Sequence, residues 1–112
     1  MSADPPESTT SQIAVIAKVP AAPGKRAELA AALRQALTAA ESEAGTLAYL
    51  LHEDAGDADV LWMYEVYANQ EALDVHQGSA TYKALGPAIT PFLGGRPELT
   101  FMAPIGGKGH FA

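Results

Sequence analysis

Two ionisable side chains stand in otherwise apolar segments of this sequence. Glu65 lies within the run Val60-Leu-Trp-Met-Tyr-Glu-Val-Tyr67, and His76 follows in the next segment. Burying a carboxylate without a partner costs several kcal/mol, so Glu65 needs a hydrogen-bonding group within reach. We expect Glu65 to hold one ring nitrogen of His76 and fix its tautomer. The other nitrogen is then free to accept a substrate proton, which predicts a general base.

Each of these two residues also has a purely structural interpretation. His76 shares a helical face with Ala72 and Leu73, so it can be a core histidine satisfied by a single hydrogen bond. Glu65 can be an anchor at a helix end or at a subunit interface. A contact between the two side chains would favour the catalytic interpretation.

Aromatic and apolar side chains near this pair predict a pocket. Alternation along the strand that contains Glu65 places Tyr67 on the same face, and Trp62 and Tyr64 on the other. We expect Tyr67 and Tyr82 to orient a substrate oxygen, because a buried phenol needs a hydrogen-bond partner. The predicted apolar walls are Met63, Leu85 and Phe92. Tyr82 and Phe92 also fit a plain core role.

Other polar motifs carry weaker signals. His52, Glu53 and Asp54 are adjacent, but they end a strand and alternate in direction, which indicates a solvated strand end and no metal site. The Gly106-Gly-Lys-Gly109 segment lacks the Ser or Thr and the strand-to-helix context of a phosphate-binding loop. No Ser-His-Asp arrangement follows from spacing.

The elements that must position these residues follow from hydrophobic periodicity. Strands are predicted over 12–19, 46–53, 60–67 and 98–103. A helix is predicted from Lys25 to about Glu43, because apolar residues from Leu29 to Ala40 recur at three- and four-residue steps and form a stripe on one helical face. Gly45 is predicted to be its left-handed stop. Asn69 and Ser79 can each cap a further helix, and Pro87 must end or bend the second of these. The order β-α-β-β-α-β predicts a ferredoxin-like α+β fold, a four-stranded antiparallel sheet with helices on one face.

Length and composition bound the domain organisation. The chain has 112 residues, which suits one domain. Residues 1–11 are rich in Pro, Ser and Thr and predict a disordered arm, 12–105 form the domain, and 106–112 form a flexible tail. Two predicted strands place large apolar groups on both faces, and much of the apolar content is alanine. Both features predict a homodimer that covers the second face of the sheet.

Charge and residue usage exclude several classes of function. The formal net charge is −6, and such a surface repels nucleic-acid backbones. There is no cysteine, which excludes disulfides and thiolate metal sites. No apolar run approaches the ~20 residues that span a membrane. The N-terminus lacks the basic and apolar blocks of a secretory signal, so a cytoplasmic location is expected.

Four segments together resemble the antibiotic biosynthesis monooxygenase family. They are Glu43-Ala-Gly-Thr-Leu-Ala-Tyr49, Met63-Tyr-Glu-Val-Tyr67, Asn69-Gln-Glu-Ala-Leu-Asp-Val-His76 and Thr81-Tyr-Lys83. The likeness runs from about Ile13 to Ile105, and it is more specific for the family than for the reaction.

The resemblance implies a homodimer whose sheets pack face to face as a dimeric α+β barrel, with a pocket in each subunit. It also implies oxidation of phenolic or quinol substrates by O₂ with no cofactor: no metal, no flavin and no haem. Tyr67 stands where many relatives have Trp. The haem-degrading branch of the family uses a Trp on the second helix, whereas the only Trp here is Trp62, in a strand, which disfavours haem degradation.

Three functions are consistent with these features. The first is a cofactor-independent monooxygenase that acts on a quinol, an anthrone or a related aromatic phenol, with His76 as base and Glu65 orienting it. The second is isomerisation of a small hydroxy-ketone by the same base. The third is a non-catalytic dimeric small-molecule-binding or stress-response module.

Overall fold

A four-stranded antiparallel sheet forms the centre of the protein. The computed structural model describes residues 11–109. The strands are β1 (Ile13–Pro20), β2 (Thr46–Glu53), β3 (Val60–Tyr67) and β4 (Glu98–Met102), in the spatial order β2-β3-β1-β4. The helices are α1 (Arg26–Ala40), α2 (Gln70–Gly78) and α3 (Ala80–Ile89), followed by a 3₁₀ turn (Thr90–Phe92). The predicted ferredoxin-like α+β fold is confirmed.

The termini extend this domain on both sides. Residues 1–10 of the predicted arm and 110–112 of the predicted tail lie outside the described residues. Ser11, the last residue of the predicted arm, donates a hydrogen bond to the Ala68 carbonyl at 3.1 Å. Residues 103–109 contain no helix and no strand.

The two short helices begin at the predicted capping residues. Asn69 Oδ1 accepts a hydrogen bond from the Ala72 amide at 2.8 Å, and Ser79 Oγ accepts one from the Tyr82 amide at 3.1 Å. Pro87, in contrast, does not end α3, which continues to Ile89. Pro87 and Lys83 are both exposed, so water can hydrate the carbonyl that proline leaves without an N–H donor.

The main core lies between the sheet and α1. Leu29 and Leu33 of α1 pack with the buried side chains of Leu61 and Met63 from β3, and Ile89 closes this cluster from α3. Leu29 and Leu33 lie on the apolar stripe predicted for this helix, which confirms the 3.6-residue period. The helices therefore cover one face of the sheet, the face that also carries Glu65.

Gly45 has a different role from the predicted one. It is absent from the glycines with positive φ, so it is not the left-handed stop of α1, which already ends at Ala40. A Cβ atom at Gly45 would lie 2.5 Å from the Ala72 Cβ. Close contact between the α1–β2 turn and α2, rather than backbone conformation, therefore requires glycine here.

Substituting Gly45 should consequently loosen the contact between this turn and α2. We expect Gly45→Ala to lower the free energy of unfolding by about 1–3 kcal/mol, the usual cost of overpacking. Gly78→Ala is the matched control, because a Cβ at Gly78 meets nothing within 4 Å. Urea denaturation of both variants checks the prediction, and equal stability of Gly45→Ala and wild type would contradict it.

Helices that could cross a membrane are absent from residues 11–109, since none is both long and apolar enough.

Candidate active site

A cavity of about 410 Å³ lies between the helices and the sheet. Its walls are mainly apolar, and its polar lining residues come from four elements. The polar residues are Tyr49, Glu65, Gln77, Tyr82 and Lys83. Exposed residues at its edge, among them Lys83 and Leu99, open the cavity to solvent. An apolar cavity with a few convergent polar groups is the usual form of a small-molecule site.

Glu65 is the acidic residue on the wall of this cavity. It stands on β3 between Val15 of β1 and Tyr49 of β2, its partners across the sheet. The hydroxyl of Tyr67, two residues along the same strand face, donates a 2.6 Å hydrogen bond to Glu65 Oε1. Burial raises the pKa of the Glu65 carboxyl above its ordinary value of 4.5, and this hydrogen bond and the nearby His76 oppose the rise.

Tyr67, predicted to orient a substrate oxygen, does not line the cavity, so this predicted contact is corrected. Tyr67 supports Glu65 from inside the core. Its side chain is fully buried, with a relative exposure of 0%. Burial, followed by the charge of Glu65, raises the pKa of the Tyr67 phenol, so the phenol stays protonated and remains a donor. One oxygen of the carboxyl is thereby fixed, and the other makes no hydrogen bond within residues 11–109.

His76 is paired with Glu43. His76 Nδ1 lies 2.8 Å from Glu43 Oε1, and the Thr46 hydroxyl donates to the same oxygen at 2.7 Å. A carboxylate only accepts hydrogen bonds, so Nδ1 carries the proton and donates this hydrogen bond to Glu43. His76 is only 5% exposed, and its Nε2 is buried without a hydrogen-bond partner among the described residues.

Three tyrosine rings surround the imidazole of His76. The ring centroids of Tyr49, Tyr67 and Tyr82 lie 5.1, 5.2 and 5.2 Å from it. Tyr49 and Tyr82 line both the cavity and an inner space around His76, and that inner space has no room for a water molecule. These two tyrosines therefore separate His76 from the cavity.

The predicted pairing of His76 with Glu65 is therefore wrong. Each side chain has another partner, Glu43 for His76 and Tyr67 for Glu65. The physical reason is reach: the α1–β2 turn brings Glu43 against α2, while Tyr67 lies on the strand of Glu65 itself. The cavity contacts Glu65 and does not contact His76.

The other predicted pocket residues divide into two groups. Met63, Tyr82 and Leu85 line the cavity, and their contact with a substrate stays a prediction. Phe92 does not, because it lies in the 3₁₀ turn after α3 and packs against the main core cluster. Its place as a pocket wall is corrected to a core position.

Among the residues that supply polar groups to the site, Glu43, Tyr49, Gln77 and Lys83 were not predicted site residues. A signal for Tyr49 existed, because antiparallel pairing of the two neighbouring strands places it directly opposite Glu65. Glu43 gave no such signal, since it lies in a turn whose path is set by tertiary packing. Among residues 11–109, no group of three or more His, Cys, Asp or Glu side chains is placed to hold a metal ion.

Comparison with known proteins agrees with this fold. Residues 12–87 match the sequence model of a family described as antibiotic biosynthesis monooxygenase. The chain belongs to the antibiotic biosynthesis monooxygenase family. It is similar to "Putative monooxygenase Rv0793" of Mycobacterium tuberculosis, with 34% identity over 96 residues that cover 86% of this chain and 94% of the relative.

Solved structures of the family superpose on most of the chain. The structure of Rv0793 from Mycobacterium tuberculosis has a TM-score of 0.81 at 32% identity and covers 88% of this chain and 100% of that one. A "putative antibiotic biosynthesis monooxygenase" from Caulobacter crescentus has a TM-score of 0.81 at 27% identity, covering 88% and 93%. Membership of the antibiotic biosynthesis monooxygenase family assigns the chain to the monooxygenases, a class of oxidoreductases.

Proposed function

We propose that this protein oxidises a quinol, an anthrone or a related aromatic phenol with O₂, without a metal or an organic cofactor, and that Glu65 is the base. The observation that carries the proposal is the Glu65 carboxyl on the wall of an apolar cavity, with one oxygen held by Tyr67. Burial raises the pKa of this carboxyl toward the range in which a general base works best at neutral pH.

The reaction needs no reductant other than the substrate. Glu65 removes a proton from the substrate, and the resulting anion transfers one electron to O₂. The substrate radical and superoxide then combine through a new carbon–oxygen bond, and a proton completes a hydroperoxide. Loss of the remaining proton from that carbon breaks the O–O bond and releases water. One oxygen atom stays as a carbonyl and the other leaves as water. The substrate loses two hydrogens, one as the proton that Glu65 takes and one from the oxidised carbon.

Tyr49 and Tyr82 are placed to stabilise the anion that this reaction forms. Both line the cavity, and neither hydroxyl has a hydrogen-bond partner among the described residues. Burial, followed by the charge of Glu65, raises the pKa of the Tyr49 phenol, so it stays a neutral donor. Fixed donors aimed at a developing oxyanion in a dry site are a major source of catalysis. The ring of His76, hydrogen-bonded to Glu43, packs against the rings of both tyrosines and does not itself line the cavity.

Oxygen uptake tests the proposed function. Metal-stripped, flavin-free protein is mixed with a panel of quinols and anthrones, and we expect O₂ consumption above the buffer rate with stoichiometric carbonyl product. Turnover of a hydroxy-ketone without O₂ would instead indicate an isomerase. Ligand binding without turnover in either assay would indicate a binding module.

We also propose that the protein is a homodimer, formed through the sheet face that the helices leave open. Ile16 and Trp62 lie on this face in the central strands, with Leu50 and Met102 on its outer strands. Leu50 and Met102 are 48% and 41% exposed, and the Trp62 indole N–H already donates to Asp54, which leaves its ring as apolar surface. Apolar side chains on a sheet face that no helix covers support packing against a second copy.

A charge at the centre of this face should separate the subunits. We expect wild type to have the mass of a dimer at micromolar concentration in sedimentation velocity. Ile16→Asp should have the mass of a monomer, because dimerisation would remove the new carboxylate from water. Ala31→Asp, on the exposed side of α1, adds the same charge and should remain dimeric. A monomeric wild type would contradict the proposal.

A further inference from the structure

The polar groups at the mouth of the cavity specify a second feature of the substrate. Resting on the proposed function, we propose that the aromatic substrate carries a carboxylate, which Lys83 and Gln77 bind while its oxidisable carbon faces Glu65. The cavity thus combines a proton acceptor on β3 with hydrogen-bond donors on the helices α2 and α3.

Lys83 is a cation without a counter-ion among the described residues. It is the only Lys or Arg among the residues that line the cavity, and none of the ion pairs formed within residues 11–109 includes it. The one acidic residue in the same cavity, Glu65, accepts its hydrogen bond from Tyr67 instead. The positive charge of Lys83 is therefore available to a ligand.

Gln77 provides a second donor in the lining of the same cavity. It lies in the last turn of α2, it is half-buried, and its side-chain amide makes no hydrogen bond within the described part of the chain. An ammonium and an amide N–H₂ from two neighbouring helices suit the two oxygens of a carboxylate, which only accept hydrogen bonds.

The charge of the whole protein makes this local cation more selective. The formal net charge of −6 repels anions from the protein as a whole, so a local cation such as Lys83 is needed to hold an anionic ligand in the cavity. A neutral carboxamide can accept a hydrogen bond from Lys83, but it lacks the charge that strengthens the bond to a carboxylate. The preference for an acid over its neutral analogue is thus a direct measure of this contact.

Binding of two unreactive ligands tests the inference. Anthraquinone-2-carboxylate and the neutral anthraquinone-2-carboxamide have the same shape, and neither can be oxidised further at the reacting carbon. We expect calorimetric titration to show that wild type binds the acid about fivefold more tightly than the amide, as suits one partly exposed charge-assisted contact, with the ratio falling as salt is added.

Substitutions test which residues cause the preference for the acid over the amide. Lys83→Met should reduce the ratio to about one, Gln77→Leu should reduce it partly, and Lys108→Met, the same charge change in a residue that does not line the cavity, should leave it unchanged. A ratio near one in wild type, an unchanged ratio in Lys83→Met, or no binding of either ligand would overturn the inference. An unchanged ratio in Gln77→Leu would overturn the part assigned to that residue.

These measurements separate the two proposals. They involve no turnover, so a clear preference for the acid together with no O₂ consumption by any quinol or anthrone would overturn the proposed oxidation and support the carboxylate contact. Oxidation of neutral and acidic anthrones with equal kcat/KM, together with a binding ratio of one, would overturn the contact and leave the oxidation standing.

Discussion

Glu65→Gln is expected to lower the kcat of O₂ consumption about 100-fold or more, which is the range for loss of a general base. The amide has the size of the carboxyl, and its oxygen can still accept the hydrogen bond from Tyr67. The change therefore removes the proton acceptor with little effect on shape. Full activity of Glu65→Gln in an oxygen electrode would refute the assignment of the base.

The pH dependence of kcat/KM carries an independent signature of the same residue. Glu65 accepts a proton only when ionised, so activity should fall as pH falls through its pKa, and burial places this acid limb above the ordinary value of 4.5. The Tyr67 hydrogen bond lowers that pKa. Tyr67→Phe should therefore move the acid limb to higher pH. If the acid limb of Tyr67→Phe stayed at the wild-type pH, the role of Glu65 would be contradicted.

Ionisation of Glu65 should lower the stability of the folded protein, although activity requires it. Since the folded-state pKa of Glu65 is raised, the native protein holds more protons than the unfolded chain between the two pKa values, and stability falls as pH rises through that window. Glu65→Gln cannot ionise at this position, so its stability does not fall with pH for this reason. We expect its Tm at pH 7 to equal or exceed that of wild type, so that a fall in activity cannot be ascribed to unfolding.

His76→Ala is expected to lower the free energy of unfolding by about 3 kcal/mol or more, because it leaves the Glu43 carboxylate without its buried partner and opens a space among three tyrosines. The substitution removes the 2.8 Å pair with Glu43 and the ring packing against Tyr49, Tyr67 and Tyr82. Thermal and urea denaturation measure the decrease in stability. A variant as stable as wild type would show that the pair with Glu43 contributes nothing.

Activity distinguishes a positioning role of His76 from a catalytic one. We expect His76→Gln and Glu43→Gln to reduce kcat less than tenfold and to keep the acid limb that Glu65 sets, because both amides can still hydrogen-bond and neither variant removes the base. Disappearance of the acid limb in His76→Gln, with Glu65 intact, would restore His76 as the base. A fall in kcat of His76→Gln with an unchanged acid limb would indicate that the substitution displaces Tyr49 and Tyr82 and leaves the base intact.

The elements and their order were determined by local sequence. The bounds predicted for β2 and β3 are those observed, the Asn69 and Ser79 caps are confirmed, and the apolar stripe of α1 is buried as its period predicts. These features depend on side-chain alternation, helical period and hydrogen bonds over three residues, all of which are readable along the chain. Glu65 was identified as a buried acid for the same reason, because a carboxyl within an apolar strand is visible without a fold.

Only the tertiary structure decided which groups meet. His76 bonds to Glu43, which is 33 residues away, because the α1–β2 turn packs on α2 through Gly45. Phe92 does not line the cavity, because α3 continues past Pro87 and Phe92 lies in the 3₁₀ turn that follows. Contacts between distant segments depend on where turns and helix ends place a side chain to within an ångström or two, and periodicity carries no such information. The sequence thus identified the ionisable groups, and packing chose their partners.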